Sequence, residues 1–172
     1  MIQLYMGEGK GKTTAAIGQA MRAAGRGYSV IFAQFMKGND TGELHSLSAV
    51  PEIQLLRSRK HFGFHSAMDD EQKVELAKIH NDILDRLLAS AKRGGTFLMV
   101  LDEITYPINW ELLDSERLKR LLAYGKETQL EIVLTGRDPA QFLLDSADYI
   151  TRMECVCHPY ERGIGASKCV EF

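Results

Sequence analysis

An α/β domain in three layers, with helices on either side of a mostly parallel central sheet, is the fold class that the sequence predicts. Three observations predict it. The chain opens with an apolar strand, Ile2 to Met6, then a glycine-rich turn, then a helix from about Lys12 to Ala24, the order that builds a phosphate cradle. A second apolar run, Thr96 to Leu101, has the length of one buried strand and ends in Asp102-Glu103, as a strand beside such a cradle does. The remaining apolar runs of strand length alternate with amphipathic helical stretches, which is the pattern of repeated β-α-β units.

The cradle is Gly7-Glu8-Gly9-Lys10-Gly11-Lys12-Thr13-Thr14. Its glycines let the backbone turn tightly and direct N–H groups inward. The helix adds its positive dipole end, Lys12 adds a mobile cation, and the Thr13 hydroxyl is placed to hold a Mg²⁺ (or Mn²⁺) that bridges phosphate oxygens. The expected ligand is a nucleoside triphosphate, and the expected fold is P-loop NTPase-like, of the RecA-like kind. The usual spacing G-x-x-x-x-G-K-[ST] calls for glycine at position 6; here that residue is Met6, and Gly7 follows one place late.

Length and composition bound the rest. With 172 residues, 45% of them hydrophobic, and no Pro/Gly/Ser-rich linker, residues 1–172 are expected to form one domain with a substantial core. A formal charge of −2 and a pI near 6.2 exclude a global attraction to nucleic acid or to an anionic membrane, and no block of like charge supplies a local one. The longest apolar runs are of strand length and the first strand starts at once, so a cytoplasmic protein without a leader is expected. Cys155, Cys157 and Cys169 are odd in number and cluster late, which fits reduced thiols.

In chain order, the first helix is expected to stop at Gly25 as a left-handed cap. Tyr28 to Gln34 reads as the second strand, and Phe35-Met36-Lys37-Gly38-Asn39 follows it at the edge where α/β proteins place ligands, with Lys37 as the charge. Thr41, Gly42 and Glu43 read as irregular, and Ile53 to Arg57 as a third strand. The segment from Ser58 to Ser66 is polar, aromatic and basic without helical period, and Phe62 and Phe64 are expected in a ligand loop. Ser66-Ala67-Met68-Asp69 looks like a capping box for a long helix closed by Lys92, Arg93, Gly94 and Gly95. Leu76, Ile79, Ile83, Leu87 and Ala91, with Leu84 and Leu88, are its core stripe, and His80 lies beside that stripe as a packed or solvated side chain. After the Thr96 strand, either Asp102 or Glu103 can be the group on the metal side. Ile104 to Trp110, with Pro107, Tyr106 and Trp110, reads as a loop. Asp114 starts another helix, with Leu118, Leu121 and Leu122 inward and Gly125 as its end. Leu130 to Leu134 is the next strand, leading to Thr135-Gly136-Arg137, where Arg137 can reach phosphate or ribose. Pro139 opens a last helix with Phe142 and Leu143, and Tyr149 to Met153 a last strand. The tail has no helical period and is expected to continue that strand outward; Cys155, Cys157 and His158 lack a fourth partner and the usual Cys-x-x-Cys spacing for zinc.

Several of these segments also carry a family resemblance. Gly7 through Ala16, Gln34-Phe35-Met36-Lys37-Gly38, Phe62-Gly63-Phe64, Leu101-Asp102-Glu103-Ile104-Thr105-Tyr106, Leu134-Thr135-Gly136-Arg137 and His158-Pro159-Tyr160-Glu161-Arg162-Gly163-Ile164 resemble, in order and spacing, the ATP:corrinoid adenosyltransferases of the P-loop type. The glycine at position 7 matches that family's version of the cradle. The resemblance implies transfer of the 5′-deoxyadenosyl group of ATP to a Co(I) corrinoid, with release of triphosphate, in the making of adenosylcobalamin or its precursors. It implies that the loop through Thr14 holds triphosphate, that Thr13 and Glu103 serve Mg²⁺, that Arg22 and Lys37 assist with nucleotide, and that Phe64 faces the corrin. It further implies a homodimer and an electron donor that reduces Co(II). The chain departs from the family at Ser66, where tryptophan is common, at Gly165, Ser167 and Cys169, and in starting directly at the first strand. Two other readings share the cradle: a P-loop enzyme that transfers a phosphoryl group, and a non-catalytic ATP-binding module.

Overall fold

In the computed structural model, which describes residues 1–165, six strands lie side by side in one sheet. They are β1 (Ile2–Met6), β2 (Ser29–Gln34), β3 (Ile53–Arg57), β4 (Thr96–Asp102), β5 (Glu131–Gly136) and β6 (Tyr149–Arg152). The order across the sheet is β3-β2-β4-β5-β1-β6, with every pairing parallel. Parallel neighbours need crossovers, and helices supply them: α1 (Lys12–Ala24), α2 (Gly42–Ser48), α3 (Asp70–Arg93), α4 (Thr105–Asn109), α5 (Ser115–Glu127) and α6 (Gln141–Ser146).

The period of two along each strand divides the core into two layers. Val30, Phe32, Leu98, Val100 and Val133 face α1 and α2, where they meet Ala16, Ala20, Ala23, Ala24 and Leu47. Ile31, Ala33, Met99, Leu101, Ile132 and Leu134 face the other side, against Ile83, Leu84 and Leu87 of α3 and Leu118, Leu121 and Leu122 of α5. Both faces are covered, so the strands read as continuous apolar runs rather than alternating ones. The alanines along α1 have no bulk to hold it off the sheet, which brings the helix that starts at the cradle close against β4 and β5. Leu84, fully buried on α3, is a representative anchor; truncating such a leucine to alanine costs about 2–5 kcal/mol. The three-layer, parallel α/β architecture is the expected one, and β5 stands between the cradle strand β1 and the carboxylate strand β4.

Several local expectations are corrected. Gly25 is right-handed (φ −63°); the left-handed residue of that turn is Gly27 (φ 78°), two places on. Gly42 and Glu43, read as irregular, open α2, a helix too short to show a period. The capping box of α3 is Asp69 with Gln72, not Ser66 with Asp69: Asp69 Oδ1 accepts from the Gln72 N–H at 2.8 Å, and Gln72 Oε1 from the Asp69 N–H at 3.0 Å. The segment holding Tyr106 is the one-turn helix α4 rather than a loop; Pro107 is tolerated in that first turn, where no N–H partner is needed. Gly125 lies inside α5, because a Cβ there would stand 2.6 Å from Ile132 Cδ1: the glycine lets the helix press onto β5. β6 ends at Arg152 and does not run outward through Cys155; an irregular stretch leads to a 3₁₀ turn at Pro159–Arg162. Ser167 and Cys169 lie outside the described residues.

Candidate functional site

Because the strands are parallel, the ends of β1, β2, β4 and β5 meet at one edge, and a cleft of about 680 Å³ opens there. The residues from Glu8 to Thr14 form one wall, Gly42, Glu43 and Ser46 of α2 the other, and Lys37, Glu103, Arg137 and His158 the floor and rim. At the start of α1, Gly11 (φ 114°) precedes the first helical turn, whose leading N–H groups have no partner inside the helix and so face the cleft as donors. Gly9 has a different duty from the one expected of it. Its N–H donates to Met153 O at 2.7 Å, and a Cβ on it would lie 2.6 Å from Glu154 O, so the segment after β6 is packed directly against the loop. Lys12 bends back into the loop and donates to Gly7 O (2.6 Å) and Gly9 O (2.8 Å). Burial holds its pKa below that of a free lysine, partly countered by the charge of Glu103.

Asp102 closes β4 and is fully buried. Its Oδ1 accepts from Thr13 Oγ1 (2.9 Å) and Thr135 Oγ1 (2.7 Å), and its Oδ2 from Lys37 Nζ (2.8 Å). Lys37 Nζ is also 3.7 Å from Glu43. Burial works against the Lys37 cation, but the charge and hydrogen bond of Asp102 outweigh it and leave the pKa raised. Glu103 has the left-handed φ of 60° and turns the opposite way from Asp102, into the cleft. Its backbone N–H is held by Thr135 Oγ1 at 2.9 Å, while its Oε2 is buried without a hydrogen-bond partner. Burial, then the neighbouring Asp102 charge, raises its pKa. The two acidic residues are thus separated in space: Asp102 stands behind the cleft and Glu103 within it.

The predicted site residues thus converge for the most part. Glu8, Gly9, Lys10, Gly11, Lys12, Thr13, Thr14, Lys37, Glu103 and Arg137 line the cleft. Gly7 lies behind the loop, under Met153. Arg137 is bound to Glu8 at 2.7 Å across the rim. Arg22 sits in the last turn of α1, outside the lining, and donates to Gln19. Phe64 is 85% exposed, outside the cleft, while Phe62 packs against Met68, Leu76 and Leu112 as a core satellite rather than a free ligand group. Sequence reasoning missed Thr135 as the hydroxyl joining Asp102 to Glu103, Glu43 on the far wall, and the role of His80. The last is buried, with Nε2 accepting from the Met36 N–H at 3.3 Å and Nδ1 3.2 Å from Leu112 O; it thereby holds the left-handed Met36 (φ 58°) from which Lys37 is presented. Only the buried placement of a polar residue on an apolar stripe could have flagged it.

Beyond Glu103, the aromatic residues form a stack. Tyr106 lies 5.1 Å from Trp110, and the Trp110 indole lies parallel to the His65 imidazole at 4.3 Å and 8°. Burial, then the Glu103 charge, raises the Tyr106 pKa, and at the other end of the stack His65 is flanked along the chain by Phe64 and Ser66.

Mg²⁺ takes few protein ligands and completes its shell with water and phosphate. A hydroxyl, a carboxylate oxygen with no partner and a buried aspartate close behind fit that chemistry. Among the described residues no group of three or more His, Cys, Asp and Glu side chains forms a metal cage, Cys155 and Cys157 are exposed free thiols, and no helix is long and apolar enough to cross a membrane.

The family described as ATP:corrinoid adenosyltransferase BtuR/CobO/CobP matches residues 1–172. The chain is similar to a corrinoid adenosyltransferase of Pseudomonas aeruginosa, 32% identical over 175 residues, with 100% of this chain and 83% of the relative covered. A corrinoid adenosyltransferase of a Sinorhizobium species is 29% identical over 184 residues, covering 100% and 80% of the two chains. Corrinoid adenosyltransferase CobA of Salmonella typhimurium is 29% identical over 174 residues, covering 100% and 85%.

Proposed function

The chain belongs to the ATP:corrinoid adenosyltransferases, enzymes of ATP-dependent corrinoid adenosylation, and from that premise we propose how its cleft carries the reaction. The triphosphate of ATP lies in the loop from Gly7 to Thr14, against Lys12 and the start of α1, with Arg137 at the rim. Thr13 and Glu103, backed by Asp102, would hold Mg²⁺, which when bound would supply charge neutralisation to the phosphates and so make triphosphate a better leaving group. The Co(I) of the corrinoid attacks the 5′ carbon of ATP with its electron pair. The cobalt–carbon bond forms as the carbon–oxygen bond breaks, cobalt becomes formally Co(III), and the electron pair of the broken bond leaves with triphosphate. Such a step needs no protein base; the protein positions the reactants and stabilises charge. Residues 1–172 act as one domain.

The observation that carries this reading is the cleft itself, in which the cradle, Thr13 and the free oxygen of Glu103 converge. The exposed Phe64 and the Tyr106–Trp110–His65 stack beside it offer flat apolar surface to a corrin. A separate electron donor keeps cobalt reduced, and the free thiols support a cytoplasmic setting. A homodimer is supported by β6, whose four residues are all exposed at the sheet edge. Met153 donates its N–H inward to Met6 O, and Thr151 stands opposite Tyr5 between Leu4 and Met6, so by the period of two Ile150 and Arg152 direct their backbone groups outward. Antiparallel pairing of two copies about Ile150 would match Tyr149 with Thr151 and Asp148 with Arg152.

The reaction class is tested with ATP, Mg²⁺ and a chemically reduced Co(I) corrinoid under anaerobic conditions. A light-sensitive alkylcobalt product and triphosphate in equal amounts, read by phosphorus NMR, are expected. ADP as the main corrinoid-dependent product would overturn the assignment in favour of phosphoryl transfer.

A further inference from the structure

Lys37 is fixed to the group that a cation in this cleft most needs. Its ammonium is 2.8 Å from Asp102 Oδ2 and 3.5 Å from Thr13 Oγ1, the hydroxyl already engaged on Asp102 Oδ1. Glu43, 3.7 Å away, stands on its other side. The ammonium is thus surrounded by oxygens on several sides, as a small cation would be. Asp102 is fully buried, and its two oxygens already accept from Thr13, Thr135 and Lys37. A carboxylate with no exposure must have a countercharge, and Lys37 is the one that touches it.

We propose that Lys37 is an internal stand-in for the divalent cation: its ammonium and the metal compete for the Thr13 hydroxyl and for the place of countercharge to the buried Asp102 behind it, and the metal loads only as Lys37 is drawn off onto the triphosphate. Two features make Lys37 suited to such an exchange. It is carried on the turn just after β2, at a left-handed Met36 pinned by His80, so its backbone origin is fixed while its long side chain can swing. It also lines the same cleft as Thr13 and the cradle, so the displaced ammonium meets phosphate rather than apolar surface. Neither partner alone satisfies both charges. Metal without nucleotide expels a lysine that has lost its anion, and nucleotide without metal draws the lysine away from a buried aspartate. Together they satisfy both, so each raises the affinity for the other by the same factor. The cost of the exchange falls on any cation that arrives without a triphosphate, which keeps the cleft from being loaded by metal alone.

This inference rests on the cleft being a site for nucleotide and Mg²⁺, and not on the corrinoid. It is tested on the full chain with Mn²⁺ as the probe, followed by electron paramagnetic resonance, with and without ATP. Lys37→Met removes the competing charge and should bind Mn²⁺ about tenfold more tightly than the unaltered chain when no nucleotide is present. Lys37→Arg, which keeps the charge, should not, and ATP should tighten Mn²⁺ binding far more in the unaltered chain than in Lys37→Met. Equal or weaker Mn²⁺ binding by Lys37→Met without nucleotide overturns the proposal while leaving the cleft reading intact. Failure of every variant to bind Mn²⁺ even with ATP overturns both. The unaltered chain gives a reading that needs no variant: the ¹⁵Nζ resonance of Lys37 should move when Mg²⁺ and ATP are added together, and a resonance unmoved at saturation also overturns the proposal.

Discussion

The Thr135 hydroxyl stands 2.7 Å from Asp102 Oδ1 and 2.9 Å from the backbone nitrogen of Glu103, donating to one and accepting from the other. One buried side chain on β5 therefore sets the orientation of two consecutive acidic residues on β4. Asp102 is kept behind the cleft and Glu103, at its left-handed φ of 60°, is turned into it. Such a backbone state is costly for a residue with a side chain and persists where its surroundings hold it.

Thr135→Val keeps the shape and removes both hydrogen bonds. It leaves the Glu103 N–H unpaired and should cost about 1–3 kcal/mol of stability, with a loss of turnover as Glu103 loses its fixed aim. Thr135→Ser should restore most of both. Urea unfolding and steady-state rates on the two variants check this; a silent valine variant would mean that β4 alone fixes Glu103.

Lys12→Ala should lower turnover severely while the fold stays intact. The side chain ties Gly7 O and Gly9 O but takes no part in either core layer, so its loss affects the loop and not the sheet. Losing one charge-assisted phosphate contact should cost on the order of 2–4 kcal/mol in the transition state. Unchanged turnover in a variant with native circular dichroism would remove Lys12 from the site.

What was legible in the sequence was set by length and by chemistry that announces itself. The bounds of α1 and β3 follow from the cradle glycines and from a bounded apolar run, and the cradle, Lys37, Glu103 and Arg137 all proved to share one cleft. Short or glycine-bearing elements were misread, because a seven-residue α2 shows no period and the glycine at 125 serves close packing rather than termination. The choice between Asp102 and Glu103 could not be made along the chain, since it depends on Thr135, whose place between them comes from strand order. His80 was hidden for the same reason: its partners, Met36 and Leu112, are each more than thirty residues away along the chain.

His80 also predicts a pH dependence. Burial lowers its pKa from 6.5 to about 4, so between those values the unfolded chain binds a proton that the folded chain refuses. Stability must then fall as the pH drops from 6.5 towards 4, by about 3 kcal/mol at roughly 1.4 kcal/mol per pH unit. Above 6.5 this group contributes no slope. Urea unfolding at pH 7.5 and 4.5 should show a smaller difference for His80→Phe than for the unaltered chain, because the carboxylates that also titrate there are common to both. An identical difference would place the pH sensitivity elsewhere.

In the proposed reading, the corrin side of the site depends on Trp110. Ser66 is exposed where the family commonly has tryptophan, and the Trp110 indole lies flat against the preceding residue, His65, at 4.3 Å and 8°. If bulk here excludes a lower axial ligand, Trp110→Ala and Phe64→Ala should each lower the fraction of four-coordinate Co(II) corrinoid in the ATP complex. Ser66→Trp should raise it. His65, held in the stack, should not become a cobalt ligand, so the electron paramagnetic resonance of the bound Co(II) form should show no nitrogen coupling that disappears in His65→Ala. A Trp110→Ala complex with an unchanged four-coordinate fraction would show that the lower face is closed by other groups, and a nitrogen coupling lost with His65 would reverse the assignment of that ring from spacer to ligand.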